Sequence, residues 1–259
     1  MTPARKILAM ASIVAVALAA GCATQSSNQA GQRGAAAPAT STGVETIEYY
    51  PSLVKGYQNS YPRRTITILT PTIAADIGNV PPAEAPPLNG NPMIGQLVDQ
   101  YGNVTERLYA GPLAVTVQNA IARSAEEAGM VASASGDSVY RAGTMQNQDY
   151  VLASQIKRCW VRKSKAPDGH AGVWHSEADF ELDVTIYKPP FSVEFWKGTS
   201  EDTYYDPPVG SFALGPEDEA GVYDFPGQVL SVALTRGVAG IFEKQDLRNL
   251  ILEDDIHQH

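Results

Sequence analysis

Apolar and polar positions alternate most regularly between Glu177 and Ile186, where Ala178, Phe180, Leu182, Val184 and Ile186 interleave with Glu177, Asp179, Glu181, Asp183 and Thr185. A period of two sends successive side chains to opposite faces, so this run predicts a half-buried strand, antiparallel to its predecessor. The preceding strand is expected over Tyr150 to Arg162, and another over Val193 to Tyr204, beyond Pro189-Pro190. Thr65 to Leu69 predicts a strand that stops at Pro71, and the proline-rich stretch after it reads as an extended loop. Met93 to Val98 and Val104 to Tyr109 predict a hairpin around Asp99 to Asn103. Between Pro112 and Gly129 the period changes: Leu113, Val117, Ile121, Ser124 and Ala128 share one helical face, while Gln118, Arg123 and Glu126 suit solvent. Leu230, Leu234, Gly237 and Ile241 mark a second helix starting near Pro226, and a shorter one over Asp246 to about Glu253 closes the pattern. This order predicts an α+β fold, a mainly antiparallel sheet with two helices packed on one face.

The first residues follow a different pattern. Arg5 and Lys6 precede an uninterrupted run of small and apolar residues, Ile7 to Ala20, that closes at Gly21-Cys22. At about 14 residues the run is shorter than the roughly 18 of a membrane-span candidate, so it predicts a signal peptide rather than an anchor. Leu18-Ala19-Ala20-Gly21-Cys22 has the form of a lipobox, which predicts cleavage before Cys22 and acylation of its thiol, palmitate included. Acyl burial contributes about 0.8 kcal/mol per methylene, so two or three chains on Cys22 would hold the protein persistently to a membrane. The segment that follows is rich in Gln, Ser, Gly, Ala and Pro and has little to bury, which predicts a disordered tether. From Val44 an arm with Tyr49, Tyr50, Leu53, Val54 and Tyr57 is expected to lie on the domain. The expected organisation is a lipoprotein signal peptide at 1–21, a flexible tether and extended arm at 22–60, and one α+β domain at 61–259. Ala23, where an aspartate would favour inner-membrane retention, predicts outer-membrane sorting with the domain facing the periplasm.

Charge narrows the partners. The chain has 28 acidic and 19 basic residues, a formal net charge of -9, and cleavage would remove two further cations. Nucleic acid is therefore not an expected partner. With Cys22 acylated, Cys159 has no partner for a disulfide, and its apolar surroundings predict a buried packing residue. The stripe Glu177, Asp179, Glu181 and Asp183 is too regularly spaced for a catalytic pair and is expected to be a solvated face, ion-paired in part with Lys157, Arg158, Arg162 and Lys163. Asp168, His170, His175 and Glu177 match no zinc spacing, and Glu217-Asp218-Glu219 with Asp224 lacks the order of a calcium loop. No metal, cofactor or catalytic motif is expected, and the chain is read as a non-enzyme; a hydrolase with a scattered site is the weaker alternative.

Aromatic residues are the better functional clue. Phe191, Phe195, Trp196, Tyr204 and Tyr205 crowd around Pro189-Pro190 and Pro207-Pro208, and part of this cluster is expected to form an interface or a lipid-contacting groove. Tyr109-Ala110-Gly111-Pro112-Leu113 resembles the aromatic-Ala-x-Pro-Leu run of the ABC-type transport auxiliary lipoproteins, the group that includes the lipoprotein subunit of the paraquat-inducible lipid-transport system. In that setting Tyr109 is expected to pack beside the start of the first helix. The resemblance, over about residues 64 to 243, implies an auxiliary part of an ABC/MCE-type lipid-transport assembly, with envelope proteins or further copies of itself as partners and lipid as cargo. A family of outer-membrane lipoproteins with a strand-helix-strand core is also similar in outline through Asn119 to Arg162 and implies a cell-envelope lipoprotein without implying lipid transport; an outer-membrane scaffolding or assembly lipoprotein without lipid cargo is the alternative reading.

Overall fold

The computed structural model describes residues 41–54, 56–78, 80, 86–165, 174–190, 193–206, 223 and 225–257. Cys22 and the rest of the expected signal and tether up to residue 40 lie outside them. The described chain forms nine strands and three α-helices: β1 (Ser41–Glu45), β2 (Thr65–Ile68), β3 (Thr72–Ile73), β4 (Met93–Val98), β5 (Val104–Ala110), α1 (Leu113–Glu127), β6 (Val131–Ala134), β7 (Tyr150–Lys165), β8 (Trp174–Lys188), β9 (Val193–Asp206), α2 (Pro226–Glu243) and α3 (Gln245–His257). None of these helices is long and apolar enough to cross a membrane.

The sheet is mixed, which corrects the expectation of a mainly antiparallel one. β7, β8 and β9 form the anticipated antiparallel meander, and β4 and β5 the anticipated hairpin. The other edge of β7, however, is parallel throughout. β2 pairs with its start at Ile66↔Tyr150, β3 with its middle at Thr72↔Gln155, and β4 with its end at Gly95↔Val161. β2, β3 and β4 thus follow one long strand in three pieces. Pro71 separates the first two because it cannot donate to a ladder, and the proline-rich loop separates the third. β6 adds parallel to β2 and β1 parallel to β5. Alternation along a strand shows which side chains turn inward, whereas direction depends on a partner some eighty residues away, so the periodicity of the sequence does not contain it.

All three helices contribute to the buried core, with α2 at its centre. Leu230, Val232, Ala233, Leu234, Val238 and Ile241 are buried around most of the circumference of α2, as in a helix enclosed on every side. The sheet covers one side, α1 another and the arm a third. Gly237 permits the close approach to β8: a Cβ there would stand 2.6 Å from Phe180 Cδ1. Gln118, expected at the solvent face of α1, is instead buried, and its Nε2 donates to the carbonyls of Ile68 (2.8 Å) and Ser135 (2.7 Å) at the end of the sheet. Each carbonyl also accepts a first hydrogen bond, Ile68 O from the Ser135 N–H (2.9 Å) and Ser135 O from Thr70 Oγ1 (3.0 Å), and the amide reaching from α1 supplies a second donor to both.

The arm is pinned rather than merely laid on the domain. The N–H of Glu48 donates to Ser231 Oγ and that of Tyr50 to Thr235 Oγ1, each at 2.9 Å. Alternate residues of an extended chain are about 6.8 Å apart and residues four apart on a helix about 6 Å, so the two ladders match. Further along, the N–H groups of Asn59 and Tyr61 donate to the carbonyls of Glu127 and Ala128, which end α1 without helical partners. Tyr61 Oη donates to Phe242 O (2.8 Å), and Tyr57 shares a 2.6 Å hydrogen bond with Ser124.

Candidate functional site

The meander gives the sheet two unlike faces. Ala178, Phe180, Leu182, Val184 and Ile186 turn toward the helices and are buried. The alternate residues of β8 form the open face, and a β-bulge between Ile156 and Arg158 keeps β7 in step with them. Beyond that bulge Arg158, Trp160 and Arg162 stand opposite Glu181, Asp179 and Glu177.

Each carboxylate of this stripe has a neighbour across the sheet. Tyr205 Oη donates to Glu177 (3.2 Å), Thr203 Oγ1 to Asp179 (2.8 Å) and Thr199 Oγ1 to Asp183 (2.7 Å), while Arg158 lies 3.7 Å from Glu181. The stripe is therefore a ladder of surface contacts in which hydroxyls serve more often than the expected cations. Among the described residues no group of three or more His, Cys, Asp or Glu side chains is placed to hold a metal ion. Asp168, His170, Glu217-Asp218-Glu219 and Asp224 lie outside the described residues.

Near the end of β7 the open face carries a small second core. Met93, Tyr109 and Trp160 are buried together beneath Val80 and Leu88 of the proline-rich loop. Tyr109 thus packs on the side opposite the helices, which corrects its expected place beside the start of α1. Leu108 and Ala110 take the inward positions, and β alternation turns Tyr109 away. Next to this core a groove is lined by Val80, Gln96, Trp160, Arg162, Glu177 and Asp179. An indole, a guanidinium, an amide and two carboxylates around one depression can bind a polar or charged segment through several hydrogen bonds.

The structure divides the five aromatic candidates. Phe191 lies outside the described residues. Trp196 is buried, 6% exposed, and its Nε1 donates to Asp246 Oδ2 (2.8 Å), so it anchors α3. Phe195 packs on Tyr150 with ring centroids 5.1 Å apart. Both turn toward the helices because β9 is bulged beside them. Tyr204 is also buried, against Tyr223 and beneath the guanidinium of Arg236, 5.0 Å above its ring. Tyr205 alone among the described four faces out, 42% exposed, at the edge of the groove residue Glu177. Cys159 is fully buried, and burial pushes its thiol up to about 12, which keeps it protonated and unreactive.

Two polar features have no counterpart in the sequence expectations. Ser231 and Thr235, which hold the arm, are separated by four residues in an apolar helix, and that spacing is their only signal. Asp202 turns inward from β9, and one of its oxygens is buried without a hydrogen-bond partner among the described residues. Burial raises its carboxyl to about 6 although Arg236 opposes the shift.

No protein-family model matches this chain, and neither does any curated protein sequence. Among solved structures the chain is similar to a Xanthomonas campestris protein described under the DUF330 family model, with 13% identity and a TM-score of 0.43 over 85% of this chain and 100% of that one. It is also similar to a neuraminyllactose-binding hemagglutinin homologue from Helicobacter pylori, with 11% identity and a TM-score of 0.39 over 81% of this chain and 99% of that one. The PelC dodecamer from Paraburkholderia phytofirmans shows 11% identity and a TM-score of 0.35 over 73% of this chain and 96% of that one. Likenesses of this degree assign neither a family nor an activity.

Proposed function

We propose that this chain is an acylated lipoprotein of the cell envelope that acts by binding, without catalysis, as an auxiliary part of an ABC-type lipid-transport assembly. The observation that carries the anchoring is the basic pair, short apolar run and Gly21-Cys22 at the start of the sequence. Downstream of that segment the described chain begins at β1, on the edge beside β5, and the arm is fixed across α2. The binding surface is the open face of β7 and β8, with Arg162, Glu177 and Tyr205 as its contact residues. Ala23 after the acylated cysteine sorts the protein to the outer membrane, with the domain in the periplasm.

Cys22→Ser should move the protein from the membrane fraction to the soluble envelope fraction or leave it unprocessed. Normal cleavage and membrane recovery of that variant would overturn the anchoring. Density-gradient separation of the two membranes tests the location, and recovery in the inner-membrane fractions would count against it. Arg162→Glu and Tyr205→Ala, in protein that unfolds at the wild-type temperature, should weaken capture of the transport partners; unchanged capture by both would remove the open face from the proposal.

One observation favours a second reading, a scaffolding lipoprotein without lipid cargo. The groove beside Trp160 presents Gln96, Arg162, Glu177 and Asp179, a lining suited to a protein segment rather than an acyl chain. Lipid co-purifying with the envelope-extracted protein would support transport, and its absence together with stable protein capture would support scaffolding.

A further inference from the structure

β9 is 14 residues long and is laddered to β8 along one edge. Among the described residues no strand pairs with its other edge. A long free edge offers a row of backbone N–H and C=O groups to any strand that can lie beside it, which is why edges are usually short, covered or heavily kinked. On the open face this edge presents Lys197, Thr199, Glu201 and Thr203, all exposed. Glu201 stands directly opposite Glu181 of β8, an unfavourable pairing of like charges. Lys197 lies four residues along the same strand from Glu201, about 13 Å away and too far to compensate it.

We propose that two copies of this chain pair edge to edge through β9, antiparallel about a two-fold axis at Thr199, with Lys197 of each copy opposite Glu201 of the other. Side chains across an antiparallel pair must share a face, so the axis falls on a residue rather than between two. An axis on Lys197 or Glu201 would set each against its own copy. An axis on Gly198 would bring Asp202 toward Glu194, and one on Ser200 would bring Glu194 toward Asp206. Thr199 is the position from Lys197 to Glu201 that creates two opposite-charge pairs and no like pair. In that register the cation supplied by the second copy meets the carboxylate that already faces Glu181. The two sheets become continuous, and both open faces remain accessible. This pairing needs neither the acyl anchor nor the open-face binding surface.

Cysteine crosslinking of the full chain in isolated envelopes tests the register. Directly opposed residues in an antiparallel pair have Cα atoms about 4.5–5.5 Å apart, within the roughly 4.4–6.8 Å that a disulfide spans. Thr199→Cys should therefore give a reducible dimer on mild oxidation, whereas Lys197→Cys, whose two copies would be about 14 Å apart, should not. Failure of Thr199→Cys to crosslink, or equal crosslinking of both variants, would overturn the proposal. Sedimentation of the detergent-extracted protein supplies a second measurement. Lys197→Glu should raise the dimer dissociation constant about tenfold or more, and Lys197→Glu with Glu201→Lys should restore it. A double variant as weak as the single one would overturn the register. Repeating the crosslinking in Cys22→Ser separates this proposal from the anchoring, because the dimer should persist when the protein is released.

Discussion

The two faces of the β7–β8–β9 meander come from the same alternating residues, yet they treat charge in opposite ways. On the open face Asp179, Asp183 and Glu177 accept hydrogen bonds from Thr203, Thr199 and Tyr205, and their surroundings are wet. On the helix face Asp202 has one oxygen buried without a partner, and burial moves its carboxyl up to about 6. Stability is concentrated where α2 meets Phe180, whereas the charged stripe of β8 on the open face, outside the small core of Met93, Tyr109 and Trp160, can change its side chains at little cost to folding. A face that contributes little to stability can be shaped for a partner, which is why the binding proposal rests there.

The largest effect expected from breaking the helix side is at Phe180. It is 1% exposed and meets α2 at Gly237. Phe180→Ala should cost about 3–5 kcal/mol in urea unfolding, whereas Thr203→Ala, on the other side of the same sheet, should cost under about 1 kcal/mol. Comparable losses from the two would mean that the faces are not divided as described.

Next in size is the fastening of the arm. Ser231→Ala and Thr235→Ala each leave a backbone N–H of the arm without its acceptor, at about 1–2 kcal/mol apiece. Combined, they should make the chain between Ile47 and Tyr61 markedly more susceptible to limited proteolysis while the sheet stays intact. Unchanged proteolysis would show that β1 and the tyrosine contacts suffice to hold it.

How far the sequence revealed these features depends on how local each one is. The β8 alternation and the α1 stripe are visible because the side chains that settle them lie within a few residues of one another. β1, β3 and β6 are five, two and four residues long, and unlike the equally short β2, with its Thr-Ile-Thr-Ile alternation, Ser-Thr-Gly-Val-Glu and Val-Ala-Ser-Ala carry no clear apolar alternation. The parallel edge of β7 depends on a partner segment that Pro71 and a proline-rich loop divide, so neither its continuity nor its direction is a local property. Among the aromatic candidates, alternation alone would place Phe195 and Trp196 on opposite faces. A bulge in β9 puts both inward, and only the register with β8 shows it. Gln118 is ambiguous for the same reason: its polarity suits solvent until the carbonyls of Ile68 and Ser135 are brought to it.

A smaller effect sharpens the comparison through pH. Because burial raises the Asp202 carboxyl above its ordinary value of 3.8, the folded protein holds this proton more tightly than the unfolded chain does. Its contribution is fully favourable below about pH 3.8 and is lost as pH rises through about 6. Asp202→Asn does not titrate, so it should be more stable than wild type by about 1 kcal/mol at pH 7.5, after allowance for the solvent that reaches a partly buried side chain, and should lose that advantage by pH 4. An advantage independent of pH would assign the effect to something other than the charge.

The smallest effect belongs to the open face. Glu181 is 3.7 Å from Arg158 and directly opposite Glu201, so one attraction and one repulsion act on the same carboxylate. Their side chains are partly exposed, 45% for Arg158 and 25% for Glu181, which places the pair where such contacts contribute about 0–1 kcal/mol. Glu181→Gln removes both terms at once and should change stability by less than about 0.5 kcal/mol. Arg158→Ala removes only the attraction and leaves the two glutamates facing each other, so it should be the more destabilising of the two at low salt. Raising the salt concentration should shrink that difference, because exposed charges beyond a Debye length of about 8–10 Å are screened and closer ones are weakened. Urea unfolding of both variants at low and high salt measures it. A loss above about 2 kcal/mol for Glu181→Gln, insensitive to salt, would show that this carboxylate is held as a buried charge is, and the contrast between the two faces would fail at the residue where it is easiest to test.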